Sequence, residues 1–141
     1  MIRGEFPAAG EQDPDTLRAA YDDLLATTIS SVGREAVAAD TEIDDGRLGA
    51  IIEGESPELS LTEAATILAT DPDRPDADTV AAEARDVLLM GMTTAVLDVE
   101  ALASGIEDAL EPKEIQAKVE GRHPMSLDEY ALLHAYVAGS R

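Results

Sequence analysis

The chain contains no cysteine and no tryptophan, one phenylalanine (Phe6) and only two lysines, Lys113 and Lys118, in 141 residues. Without cysteine, disulfides, thiolate catalysis and zinc ribbons are excluded. With so few aromatic side chains, any core has to be built from aliphatic residues. No apolar run approaches the length of a membrane span, since the VLLMGM run (87–92) is soon followed by Thr93, Thr94 and Asp98. The opening residues carry no apolar stretch suited to a signal peptide. A cytoplasmic protein without membrane contact is expected.

Charge is what the chain has in excess. Thirty acidic residues face ten basic ones, a formal net charge of −20. Disordered acidic chains lack aliphatic periodicity, and this one is rich in it. The charge therefore reads as the surface of a salt-adapted, halophilic protein. In molar salt the Debye length falls to about 3 Å, which screens such a surface from itself.

The chain is organised around a stretch that occurs twice. LGAIIEGESPELSLTEAATILAT (48–70) returns as IQAKVEGRHPMSLDEYALLHAY (115–136). Each copy reads as the end of a helix, a Glu-Gly stop (Glu53-Gly54, Glu120-Gly121), a proline-bearing loop and a new helix. The new helix opens on a capping box, Ser60-x-x-Glu63 and Ser126-x-x-Glu129, in which hydroxyl and carboxylate engage orphan backbone groups. Glycine at the stop fits the left-handed residue that commonly ends a helix. The correspondence extends upstream: Glu35 to Ala38 and Glu100 to Ala103 share Glu-Ala-aliphatic-Ala, preceded by Thr27-Thr28 and Thr93-Thr94.

An all-α fold of two tandem four-helix units follows. Residues 1–12 are expected to be flexible, residues 13–70 form the first unit, 71–77 a linker and 78–138 the second. Asp13 caps the first helix with Pro14 at its first position, and Asp44 and Asp98 cap later ones. Helix 79–96 is the longest apolar element. Val80, Ala84, Val87, Leu88, Gly91 and Ala95 share one side, widened by Leu89, Met90 and Met92. This pattern places it centrally, as the most buried helix.

The second and third helices of the first unit, GREAVAADTEIDDGRLGAIIEG (33–54), resemble the helix-turn-helix of the lambda-repressor and Cro type. Gly33, Ala38 and Ile43 match the small, Ala and aliphatic positions of that motif, and Ile51-Ile52-Glu53-Gly54 matches the end of its third helix. Pro57 and the helix from Leu61 to Leu68 match the elements that follow. The resemblance covers 33–69 and, more weakly, 98–136. Over its whole length the chain also resembles a family of acidic haloarchaeal proteins with no activity attached to it.

The helix-turn-helix resemblance implies that the third helix of a unit enters the major groove. In the first unit that helix is acidic: residues 44–54 hold three acids and one arginine, a net of −2. Only Arg34 and Arg47 are available there for phosphate contacts. In the second unit, residues 111–123 are neutral, with three acids against three bases. Lys113, Gln116, Lys118, Arg122 and His123 are its candidate nucleic-acid contacts.

Nothing in the sequence points to catalysis, a cofactor or a small-molecule substrate. The two histidines, His123 and His134, lie far apart without cysteine partners and give no metal-ligand spacing. DPDRPDAD lacks the glycine and terminal glutamate of an EF-hand loop. The expected function is a non-catalytic regulator or adaptor working through a protein partner or self-association. Tyr130, His134 and Tyr136 of the last helix are its candidate contact residues. The alternative is a DNA-binding transcription regulator that reads duplex DNA through the third helix of the second unit.

Overall fold

A computed structural model describes residue 6 and residues 8–140. Among these, eight α-helices and one 3₁₀ turn (Ala9–Glu11) are present, and no strand. The helices are α1 (Pro14–Val32), α2 (Arg34–Asp40), α3 (Asp45–Ile52), α4 (Leu61–Leu68), α5 (Ala77–Ala95), α6 (Val99–Gly105), α7 (Pro112–Val119) and α8 (Leu127–Gly139). The fold is all-α.

The helix starts are set by local chemistry. Asp13, Asp44, Asp76 and Asp98 each accept a hydrogen bond from the backbone N–H three residues on, at 2.7, 3.0, 2.8 and 2.7 Å. Each satisfies one of the orphan donors that a helix leaves in its first turn. Both capping boxes close. Ser60 Oγ accepts from Glu63 N at 3.0 Å while Glu63 Oε1 accepts from Ser60 N at 3.0 Å. Ser126 and Glu129 do the same at 3.0 and 2.9 Å. After α3 and α7 the chain turns at Gly54 (φ 84°) and Gly121 (φ 79°), a backbone region that glycine enters without steric cost.

The helix lengths run 19, 7, 8 and 8 residues, then 19, 7, 8 and 13. The loops ahead of α4 and α8 meet in an antiparallel bridge between Ser60 and Ser126. Leu61 N donates to Met125 O, and Leu127 N donates to Leu59 O, both at 2.8 Å. The two contacts exchange roles across the pair.

The core is one continuous cluster. Its largest fully buried side chains include Tyr21 of α1 and Tyr130 of α8. Helix α1 packs on α8 and α4 packs on α5, so the core runs across the connection at 71–77 without a break.

The expectation that helix 79–96 lies at the centre is corrected. Helix α8 takes that place, touching α1, α4, α5, α6 and the 3₁₀ turn and burying Leu127, Tyr130, Ala131, Leu133, His134, Ala135 and Val137. Helix α5 buries Val80, Ala81, Ala84, Leu88, Gly91 and Met92 but leaves Leu89 and Met90 on the surface. Its partners, α4, α7 and α8, cover one side only, which its apolar composition did not reveal.

Residues 1–5 and 7, part of the segment expected to be flexible, lie outside the described residues. Within the rest, the ring of Phe6 meets Tyr21 edge-on at 5.0 Å, and Ala9 is buried against α8. A Cβ on Gly10 would stand 2.7 to 2.8 Å from backbone atoms of Ala138 and Gly139. Backbone cannot swing aside as a side chain can. Gly10→Ala is therefore expected to cost about 1–3 kcal/mol, the usual penalty of overpacking, measurable by chemical denaturation.

Candidate functional site

The expected nucleic-acid residues are on the surface, but most of their charge is already engaged. Lys118 Nζ lies 2.5 Å from Glu129 Oε2 and 3.9 Å from Glu114 Oε2. Burial pushes the Glu129 carboxyl up, yet the Lys118 ammonium and the capping-box hydrogen bonds outweigh it and hold the group below its ordinary value. Gln116 donates to Glu120, and Arg122 pairs with the same carboxylate through Nε at 2.9 Å. These two hydrogen bonds, Gln116 first, hold Glu120 low. Lys113 and His123 are exposed without an ion pair among the described residues.

Around α3 the neutralisation goes further. Arg47 Nε pairs with Asp44 at 2.6 Å, its Nη2 with Glu63 at 2.8 Å, and its Nη1 donates to Glu58 O at 3.2 Å. The Glu63 hydrogen bond and then the Asp44 one push the guanidinium further up from its ordinary value. Arg34 makes a forked contact to Asp45, 2.7 Å through Nε and 2.9 Å through Nη2. Both arginines are therefore bound to carboxylates of the same surface.

The contact residues expected on α8 are corrected. Tyr130 and His134 are buried, and Tyr136 is half-buried with its ring lying over Gly105. Tyr130 Oη donates to Ala84 O at 2.8 Å, while Tyr21 Oη lies 2.5 Å from His134 Nδ1. The Tyr21 and His134 rings stack with their centroids 6.1 Å apart. Burial pushes the ionisation of both tyrosine hydroxyls to higher pH, so both stay neutral. These polar tips look like surface groups in sequence, but each finds a partner inside, so the rings serve the core.

Two features were not anticipated. The first is a cleft of about 230 Å³ between the first turn of α4, α5 and the loop after α7. It gathers Arg85, Lys118, Arg122 and His123, and no carboxylate lines it among the described residues. It adjoins a second hollow of about 430 Å³ lined by Lys113, Glu114, Lys118, His123 and Pro124. The clustering of both lysines near Arg122 was visible in the sequence. Arg85, some thirty residues upstream, gave no signal.

The second is a buried network around Arg18. Its Nε donates to Asp22 at 3.1 Å, Nη1 to Asp128 at 2.7 Å and Nη2 to Pro57 O at 2.5 Å. Ser56 Oγ donates to the other oxygen of Asp22. The network ties α1 to the loop before α4 and to the first turn of α8.

No curated protein and no solved structure matches the chain. A family match does extend over residues 17–140, from within α1 through the end of α8, and on that ground the chain belongs to DUF5791, a family of unknown function.

Proposed function

We propose that the protein is a non-catalytic regulator or adaptor of a salt-adapted cell and that it acts through protein contacts. The observation that carries this reading is the outer face of α5. Residues 87–97 contain no charge in a chain of net charge −20. Among them Leu89, Met90 (55% exposed) and Val96 (88% exposed) face solvent. Charged residues are depleted at the centre of protein interfaces, and methionine is enriched there. Val96 also ends α5 in the left-handed region (φ 56°), where a β-branched residue is strained and glycine is the ordinary choice. Strain at an exposed apolar residue is more easily understood if that side chain is used.

The helix-turn-helix and tandem-repeat readings belong to the same proposal. The recurrence of the first three helix lengths, 19, 7 and 8 residues, and the reciprocal Ser60–Ser126 bridge support two units related by an approximate two-fold axis. The carboxylate partners of Arg34, Arg47, Lys118 and Arg122 weigh against the alternative of a duplex-DNA regulator, because phosphate binding would have to displace them.

Val96→Gly separates strain from use. It is expected to raise stability by about 1 kcal/mol, the penalty of a left-handed non-glycine residue. Together with Leu89→Asp it should abolish capture of a protein partner, or self-association, from nuclease-treated lysate in molar KCl. Capture that survives both changes, or duplex binding that Lys113→Glu with Lys118→Glu removes, would overturn the reading in favour of DNA.

A further inference from the structure

The cationic cleft is out of keeping with its surroundings. Thirty acidic residues are spread along the chain, yet among the described residues the lining of this cleft contributes Arg85, Lys118 and Arg122 and not one carboxylate. The carboxylates that serve Lys118 and Arg122 (Glu129, Glu114 and Glu120) lie outside it. Arg85 is half-buried and has no hydrogen bond or ion pair among the described residues. A cation partly withdrawn from water without a counter-charge costs free energy, and a protein this rich in carboxylates has had every means to supply one.

The guanidinium also lies close against backbone. Gly121 turns the backbone against it so closely that a Cβ there would stand 3.0 Å from Arg85 Nε and 3.1 Å from Cζ. The opposite wall is the first turn of α4, through Leu61 and Thr62. In that turn Leu61 N and Glu63 N are taken by Met125 O and Ser60 Oγ, which leaves Thr62 N as the donor at the positive end of the helix.

We infer that the cleft is a binding site for a phosphate monoester. Its volume is below the about 300–1,000 Å³ typical of drug-sized sites and suits a phosphate group with a few attached atoms. Arg85, unlike Lys118 and Arg122, has no carboxylate to be displaced among the described residues, and its guanidinium fork matches two phosphate oxygens. Lys118 and His123 line both this cleft and the neighbouring hollow that holds Lys113. The rest of the ligand extends that way. This inference is independent of the α5 contact face.

The test uses the full chain, with inorganic phosphate as the first probe and amide NMR shifts as the readout. Saturable shifts at Thr62, Gly121 and Arg122 are expected, with none from chloride. Arg85→Gln should weaken binding about tenfold or more, as expected for loss of a charge-assisted contact. Arg85→Lys should weaken it less. Because Arg85 has no hydrogen-bond or ion-pair partner among the described residues, the glutamine variant should melt no lower than the parent without phosphate. If it fails to fold, Arg122→Gln takes its place in the titration. Ribose 5-phosphate (with ribose as control) and a phosphoserine peptide identify the source. Tighter binding of either than of phosphate supports the site and says whether a small ligand or a phosphorylated side chain fills it. Absence of saturable shifts, or shifts undiminished in a folded Arg85→Gln or Arg122→Gln variant, would overturn it.

Discussion

Arg18→Met is expected to lower the unfolding free energy by about 3–5 kcal/mol, the range for breaking a buried ion pair by removing one partner. At roughly 2–4 °C per kcal/mol for a chain near this size, the melting temperature should fall by about 6–20 °C. Arg18 is only 4% exposed, and its three hydrogen bonds reach Asp22, Asp128 and the Pro57 carbonyl. Asp128 is open to water and loses little when the guanidinium goes. Asp22 is not: it is buried, and it would keep only Ser56 as a partner.

The pH dependence follows from the same group. Burial raises the Asp22 carboxyl above its ordinary value, and Ser56 and Arg18 only partly oppose this. A carboxyl whose folded pKa exceeds its unfolded one binds its proton more tightly when folded. Its stabilising contribution is complete below the unfolded pKa and is lost as pH rises through the folded one. Removing Arg18 pushes the folded value higher, so the deficit of Arg18→Met should be largest at neutral pH and shrink as the pH approaches the unfolded value near 4. Arg18→Met with Asp22→Leu should recover most of the loss, since a buried pair replaced by apolar groups is often neutral or better. A single-variant loss below about 1 kcal/mol, the size of a surface pair, would show that the network is solvated in solution.

The sequence reveals most where structure is decided by neighbours. Asp13, Asp44, Asp98, Ser60 and Ser126 all cap the helices expected of them, because a cap depends on residues two or three positions away. Gly54 and Gly121 end their helices for the same reason. The centre of the molecule was misjudged because burial depends on what covers a helix. Helix α5 is long and apolar yet lies against its neighbours on one side, while α8, with its tyrosines and histidine, is enclosed. The candidate site was half visible. Lys113, Lys118 and Arg122 stand close together in sequence, so their neighbourhood was found. Their neutralisation was harder to see: Lys118 pairs with Glu129, eleven positions on and across a loop. Arg85 and Arg18 were missed for a similar reason, since what defines them is brought together only by the fold. Arg18 meets Asp128 across 110 positions.

Raising KCl from dilute buffer to molar concentration is expected to raise the melting temperature strongly. Two opposing terms decide the sign. Salt weakens the surface ion pairs, Arg34–Asp45, Arg47–Asp44 and Arg122–Glu120, but such pairs contribute only about 0–1 kcal/mol each. Against this stands the repulsion of a −20 protein folded into a radius of gyration of about 14 Å. Two like charges about 20 Å apart in water repel by roughly 0.2 kcal/mol. Twenty uncompensated charges form so many such pairs that their sum exceeds the few ion pairs. Unfolding spreads the charges and relieves the repulsion, so dilute buffer favours the unfolded chain. Molar salt removes nearly all of this long-range term while leaving the buried Arg18–Asp22 contact unscreened. Salt also strengthens apolar burial, which would raise stability in any protein, so a charge variant is needed to separate the causes. Asp23, Glu35 and Asp40 are exposed on α1 and α2 and have no basic partner among the described residues. Changing all three to their amides should raise the melting temperature in dilute buffer and have little effect in molar KCl. An equal gain at both salt concentrations, or a wild-type melting temperature that is flat across the KCl range, would contradict the salt-adapted reading of the surface.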